Sequence, residues 1–184
     1  MATNAWPPVA AFYVLIMMSI GSYALLNRRA TRCASKRRLL SASPNLRRLY
    51  AGLYTIILIF GGLSFAKVMR PPFDLYDNAV LEYAGLAAAY LFFLLFVWAA
   101  RALGDNYSPN YESRQPSAIV AAPPYSIVRH PMYIANCGSI MCLALASGSS
   151  VLFGAAAILA VTYFRSAQLE NEALYEKNLA GPEI

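Results

Sequence analysis

Long stretches without charge divide the first hundred residues into three segments. Residues 8–26 form a run of 19 without a charged side chain, residues 49–69 a second with Lys67 near its end, and residues 79–100 a third with Glu82 near its start. At about 1.5 Å per helical residue, each run approaches the roughly 30 Å thickness of the hydrocarbon core of a bilayer. The pattern predicts three transmembrane helices, because both of these charges can reach an interface from a helix end.

The apolar pattern changes after residue 131. Residues 132–147 and 151–164 are apolar, and Ala-Ser-Gly-Ser-Ser at 146–150 is typical of a turn. We expect a hairpin of two helices of 16 and 14 residues, each shorter than the roughly 20 residues usually needed to span. The sequence therefore predicts an all-α integral membrane bundle of about five transmembrane helices, the last two a short helical hairpin.

The charge distribution predicts an orientation in the membrane. The chain carries 15 Lys and Arg against 9 Asp and Glu, and eight of these cations but no acid lie in the loop 27–48. Because cations concentrate in cytoplasmic loops, we expect this loop inside and the N-terminus outside. Alternation through five spans then makes the loop 101–131 and the C-terminus cytoplasmic. Topology and anionic lipids explain the basic balance, so no nucleic-acid partner is expected.

The cysteines and the single histidine limit metal chemistry. Cys33, Cys137 and Cys142 form no CxxC pair, and His130 is the one histidine of the chain. Neither a disulfide framework nor a Cys/His zinc site is expected from this set. Cys137 and Cys142 fall within the predicted hairpin and are interpreted as small packing residues.

The first candidate for chemistry is the start of the hairpin, Arg129-His130-Pro131. Proline suits the first turn of a helix, so the helix is expected to begin there. His130 then lies beside free backbone N–H groups and the positive end of the helix dipole, which favour an anion, as does Arg129. Tyr133 and Asn136 follow at intervals of three and can share a face with His130. The alternative is a simple anchor to lipid headgroups, but the histidine and asparagine at a membrane boundary favour a site.

The second candidate is the acidic segment after the last span. Glu170, Glu172 and Glu176 form the only acidic cluster of the chain, on a stretch with helical character. This segment emerges on the same side of the membrane as His130, because both adjoin the ends of one hairpin. A solvated amphipathic tail is the alternative. A cationic or hydroxyl-rich ligand could be held between these glutamates and the basic residues Arg129 and His130.

The stretch Pro-Tyr-Ser-Ile-Val-Arg-His-Pro-Met-Tyr at 124–133 resembles a known family. Leu-Gly at 103–104 and Asn-Tyr-Ser at 106–108 precede it, and acidic residues follow about forty positions later. Together, over roughly residues 101–181, these elements resemble the isoprenylcysteine carboxyl methyltransferase family. The related phospholipid N-methyltransferases share the RHPxY element, and the sterol reductases, which use a nicotinamide cofactor, have a looser version.

The resemblance implies S-adenosylmethionine as cofactor and a lipid or isoprenoid acceptor that approaches within the membrane. The apolar runs predict a three-helix transmembrane region over residues 1–100 with the basic loop 27–48, and the resemblance implies a cofactor-binding region over residues 101–184. Arg129 would hold an anionic group, and one of Glu170 and Glu172 would contact the cofactor. The implied cofactor-binding residues are Tyr125, His130, Pro131, Tyr133, Asn136, Glu170 and Glu172, and the implied catalytic residues are Arg129, His130 and Glu172.

The chemistry of transfer leaves alternatives open. A carboxylate acceptor needs no base at neutral pH, whereas an amine or hydroxyl acceptor does, and His130, a glutamate or Tyr125 could serve. The favoured function is methyl transfer to an isoprenylcysteine-type carboxylate or a related lipid. A nicotinamide-dependent reductase on the same scaffold and a non-catalytic transporter or scaffold protein are the alternatives. The reductase would need more cations for a pyrophosphate than Arg129 and Arg114 offer.

Overall fold

Five helices make up almost all of the regular structure. The computed structural model describes residues 6–32, 38–41, 44–68, 73–107, 112–114 and 122–179. The helices are α1 (Trp6–Arg32), α2 (Pro44–Phe65), α3 (Ala79–Leu103), α4 (Pro131–Ser147) and α5 (Ser150–Leu179). The predicted all-α membrane bundle is confirmed. Cys33 and residues 108–111 and 115–121 of the loop 101–131 lie outside the described residues.

Four of the helices are long and apolar enough to cross a membrane. Their candidate spans are Pro7–Arg28, Asn45–Phe65, Ala79–Leu103 and Ser150–Glu172. The short second arm expected over 151–164 is wrong, since α5 runs for 30 residues. Its continuation is rich in Ala, Gln, Leu and Glu, which favour a helix without an apolar pattern. Only α4, with 17 residues, is as short as predicted.

Two short strands form a ribbon that the sequence pattern did not predict. Strand β1 (Arg38–Ser41) pairs antiparallel with strand β2 (Glu112–Arg114), with Arg38 opposite Arg114 and Ser41 opposite Glu112. At four and three residues, they are too short to show an alternating pattern. The ribbon joins the loop after α1 to the segment between α3 and α4.

The bundle is organised around the pairing of α3 with α4, its most extensive helix contact. Buried Phe12, Leu86 and Phe93 form one core cluster with the residues around Leu143 and Leu152. A second cluster, around Leu159 and Tyr163, joins α2 to α4 and α5. Cys142 packs against the first cluster and Cys137 against the second, so the packing role predicted for both is confirmed.

Gly85 allows the close approach of α3 to α4. A Cβ placed there would lie 2.8 Å from the Cys142 carbonyl oxygen and 2.8 Å from the Ala146 Cβ. We therefore expect Gly85→Ala to destabilise the protein by about 1–2 kcal/mol, because overpacking outweighs the gain in helix propensity. Thermal unfolding in detergent measures the change. Gly154→Ala on α5 is the matched control, since nothing lies within 4 Å of its Cβ position. Equal unfolding temperatures for the two variants would contradict the close approach.

The turn between α4 and α5 is clamped by the segment that precedes α3. The Leu75 amide donates to the Gly148 carbonyl at 2.9 Å, and the Ser150 amide donates to the Phe73 carbonyl at 2.8 Å. Gly148 has a φ of 67°, a left-handed conformation that glycine adopts without strain. These bonds hold the end of α4 level with the start of α3.

The same end of the bundle carries a buried charge. Glu82, 5% exposed, lies in the first turn of α3, and its Oε2 accepts from Lys67 Nζ at 3.2 Å. Lys67 also reaches exposed Asp77 at 2.7 Å. These ion pairs connect the end of α2 to the start of α3.

Candidate functional site

The start of α4 forms one wall of the candidate site. The helix begins at Pro131, as predicted, and His130 occupies the N-cap position without a side-chain capping bond. Helix N-termini carry unpaired N–H groups and a partial positive charge. The Ile134 amide already donates to the His130 carbonyl at 3.2 Å. The amides before it in the first turn therefore remain available to a ligand oxygen.

His130 lies between α4 and α5, where it meets two α5 side chains. Its Nε2 lies within hydrogen-bond distance of the Asn171 Oδ1, at 3.2 Å. Its Nδ1 lies 3.7 Å from the Glu170 Oε2. Nδ1 thus faces a carboxylate. The side chain is 23% exposed, so ligands and solvent can reach it.

An aromatic stack extends from His130 into the bundle. The His130 and Tyr133 rings are 5.4 Å apart and nearly parallel, at 8°. Tyr133 stacks on Tyr163 at 5.2 Å, and Tyr163 lies 5.6 Å from Tyr50 of α2. Tyr163 is 1% exposed, and its hydroxyl lies 3.0 Å from that of Tyr54. The stack thus runs from the partly exposed His130 ring at the start of α4 to the buried rings of Tyr163 and Tyr50.

The two candidate glutamates are placed differently. The Tyr133 hydroxyl donates to the Glu170 Oε2 at 3.3 Å, so Glu170 contacts two residues of the α4 start. Glu172 and Arg129 are exposed. The side chain of Glu176 lies outside the described residues. Of the acidic segment, Glu170 is the residue that the fold brings to the helix start.

Tyr125 lies beside this site with a buried hydroxyl. Among the described residues, none forms a hydrogen bond with that hydroxyl. Burial, and secondly the nearby charge of Glu170, raises the pKa of Tyr125 above its ordinary value of 10. The phenol is therefore neutral at physiological pH and is a hydrogen-bond donor rather than a base.

Asn136 connects the site helix to α1. Its Nδ2 donates to the Tyr23 hydroxyl at 2.9 Å, and the Tyr23 ring lies 5.1 Å from that of Phe96. The amide thus has a structural partner on α1. Asn136 is placed one helical turn below Tyr133 on the predicted face.

Sequence reasoning missed three residues of the site: Asn171, Tyr163 and Tyr50. Tyr163 precedes Glu170 by seven residues, two helical turns, so the two share a face of α5. That spacing could have identified Tyr163 once the helix was extended beyond 164. No local pattern predicts Tyr50, because it belongs to a different helix.

The described residues contain no group of three or more His, Cys, Asp and Glu side chains placed to hold a metal ion. The site instead combines one carboxylate, one imidazole and several tyrosines. A carboxylate attracts a cation, while the free amides of a helix start attract an anion. The arrangement suits a ligand that carries both charges.

Comparison with known proteins identifies the family. A protein-family model described as phospholipid methyltransferase matches residues 81–178, more than half of the chain. A search of curated proteins and a search of solved structures gave no match. The matched region contains α4 and nearly all of α3 and α5, and with them His130, Tyr133 and Glu170. The protein is an integral membrane protein that belongs to the phospholipid methyltransferase family.

Proposed function

We propose that the protein transfers a methyl group from S-adenosylmethionine to a lipid-like acceptor at the membrane interface. The observation that carries this proposal is the position of Glu170, whose carboxylate lies against Tyr133 and His130 at the start of α4. Family membership supports methyl transfer to a lipid. The finer assignments of cofactor, residues and acceptor rest on the chemistry of this site.

The residues fit S-adenosylmethionine by charge and by hydrogen bonding. When bound, this group supplies a methyl carbon attached to a positively charged sulfur. Glu170 suits its cationic groups, and the free amides that follow Pro131 suit its carboxylate. The buried hydroxyl of Tyr125, unpaired among the described residues, supplies a further donor. We propose these residues, with His130, as the binding site.

Of the two glutamates that could contact the cofactor, Glu170 and Glu172, we propose Glu170. It contacts His130 and Tyr133, whereas Glu172 is exposed. Arg129, also exposed, is proposed to attract an anionic group of the ligand or acceptor from solvent. Asn136 is proposed to hold α4 against α1 and so to position Tyr133.

The proton of the acceptor is the main difference between acceptor classes. A carboxylate reacts without losing one, whereas an ammonium must be deprotonated first. Tyr125 cannot accept that proton near neutral pH, because burial and the nearby Glu170 raise its pKa. We propose His130 Nδ1, which faces the site beside Glu170, as the acceptor of this proton.

Two acceptor classes have support. The sequence resemblance favours an isoprenylcysteine-type carboxylate, and the description of the family model favours a phospholipid. Both present a polar head at the interface and apolar chains in the bilayer. We propose the isoprenylcysteine-type carboxylate first and the phospholipid amine as the second candidate.

The proposed orientation follows the basic loop. With the loop 27–48 in the cytoplasm, the site end of α4, the loop 101–131 and the C-terminus also face the cytoplasm. S-adenosylmethionine would then enter from the aqueous side. Residues 1–100 would receive the acceptor, and residues 101–184 would hold the cofactor.

Binding of S-adenosylmethionine to the detergent-purified protein tests this function. We expect saturable binding by calorimetry and about tenfold weaker binding by His130→Ala, because a positioned hydrogen-bonding group is lost. Transfer of labelled methyl groups to an S-farnesylcysteine with a blocked amine, or to phosphatidylethanolamine in vesicles, then separates the two acceptors. A folded protein that neither binds the cofactor nor labels either lipid would overturn the proposal.

A further inference from the structure

Tyr50 of α2 combines deep burial with an unused polar group. It is 5% exposed, and among the described residues none forms a hydrogen bond with its buried hydroxyl. A phenylalanine would fill the same space without leaving a polar atom unpaired, which is costly in a protein interior. Tyr54, one turn later on the same helix, does pair its hydroxyl, with that of Tyr163. The unpaired oxygen of Tyr50 therefore lacks a structural purpose in the protein alone.

The position of Tyr50 connects it to the candidate site. Its ring lies 5.6 Å from that of Tyr163, which stacks directly on Tyr133. Tyr133 packs against the same core cluster as Tyr50 and donates to Glu170. Tyr50 thus lies on the side of the aromatic stack away from His130 and the start of α4.

Depth in the membrane indicates which ligand could reach it. The candidate span of α2 begins at Asn45, so Tyr50 lies about 8 Å along the helix from that end. This is the level at which a lipid head meets its apolar chains. A water-soluble cofactor held at the start of α4 has its partners on the other side of the stack.

We infer that the Tyr50 hydroxyl binds the polar head of the acceptor lipid, donating to an anionic oxygen, and so makes α2 part of the acceptor site. The oxygen belongs to the carboxylate of an isoprenylcysteine-type acceptor or to the phosphate of a phospholipid. Tyr50 lies outside residues 81–178, the region that the family model matches. This inference rests on the proposed methyl transfer.

Tyr50→Phe tests the inference, with Tyr54→Phe as the matched control. For Tyr50→Phe we expect a rise of about tenfold in the KM for the acceptor, because a hydrogen bond to a charged oxygen is lost. The dissociation constant for S-adenosylmethionine should stay unchanged. The unfolding temperature should not fall. Tyr54→Phe should lower the unfolding temperature and leave the acceptor KM unchanged, since it loses a structural bond.

The probes are the S-farnesylcysteine with a blocked amine and phosphatidylethanolamine vesicles, assayed in parallel. The acceptor whose KM rises identifies the source of the anionic oxygen. A wild type that transfers methyl groups, with a Tyr50→Phe variant of unchanged acceptor KM, would overturn the inference alone. Weaker cofactor binding in that variant would also overturn it, by placing the hydroxyl on the cofactor. A wild type without cofactor binding or transfer would overturn the proposed function and this inference with it.

Discussion

Glu170→Gln is expected to weaken S-adenosylmethionine binding by about 10- to 100-fold, whereas Glu172→Gln changes it less than about twofold. Glutamine keeps the size of Glu170 and an acceptor for the Tyr133 hydroxyl but removes the negative charge. Hydrogen bonds to a charged group contribute about 1.5–3 kcal/mol, which corresponds to this range. Glu172 is exposed, so solvent screens its charge. Titration calorimetry on the two variants measures the difference.

The two glutamates are a matched pair, because they lie two residues apart on one helix and differ in the direction they face. Their net charge change is the same, so a general electrostatic effect would weaken both variants equally. Equal losses, or a larger loss for Glu172→Gln, would contradict the placement of Glu170 against His130 and Tyr133. Unchanged unfolding temperatures confirm that both variants are folded.

Lys67→Met is expected to destabilise the protein by about 3 kcal/mol. It would leave the Glu82 carboxylate, 5% exposed, without its cation, and Glu82 Oε1 already has no hydrogen-bond partner among the described residues. Breaking a buried pair by removing one partner costs about 3–5 kcal/mol, and the partial exposure of Lys67 places this pair at the lower end. Chemical or thermal unfolding in detergent measures the loss.

Asp77→Asn is the control for the other ion pair of Lys67. This pair is shorter, at 2.7 Å against 3.2 Å, but Asp77 is 74% exposed. Exposed ion pairs contribute about 0–1 kcal/mol to stability. We therefore expect the longer pair with buried Glu82 to stabilise the protein more than the shorter pair with exposed Asp77. The double variant Lys67→Met/Glu82→Leu should recover most of the loss, because no charge then stays buried alone. A larger effect for Asp77→Asn than for Lys67→Met would contradict this account.

The pH dependence of this ion pair has a definite sign. Burial lowers the pKa of Lys67, but its bonds to Asp77 and Glu82 outweigh burial and leave that pKa above 10.5. A group whose pKa is raised by folding stabilises the protein at pH values below its pKa in the unfolded state. This stabilisation is lost as the pH rises through the pKa in the folded state. Titration of Lys67 should therefore reduce stability only above about pH 10.5.

The fold was predicted wherever apolar runs were long. The runs at 8–26, 49–69 and 79–100 correspond to α1, α2 and α3, whose ends extend or shift by a few residues. Proline fixed the start of α4 at its predicted residue. The last arm was predicted to end at 164 because the residues after it are polar. The helical character of the acidic segment was predicted, but its continuity with α5 was not.

The candidate site was predicted in part. His130 and Tyr133 are separated by one helical turn, so their proximity follows from local geometry. Their contacts with Glu170 and Asn171 cross some forty residues and depend on how α5 packs against α4. The choice between Glu170 and Glu172 depends on the rotation of α5 about its axis, which short polar sequences do not determine. The proximity of Tyr50 to the site could not be predicted without knowing how α2 packs against α5.

Under the proposed function, the length of α4 sets the depth at which methyl transfer would take place. Seventeen residues reach only about 25 Å, whereas the hydrocarbon core is roughly 30 Å thick. Because Phe73 and Leu75 hold the far turn level with the start of α3, we expect the deficit at the end that carries His130. The floor of the candidate site would then be recessed below the headgroup plane, where the proposed lipid acceptor can present its reactive head without being lifted out of the bilayer.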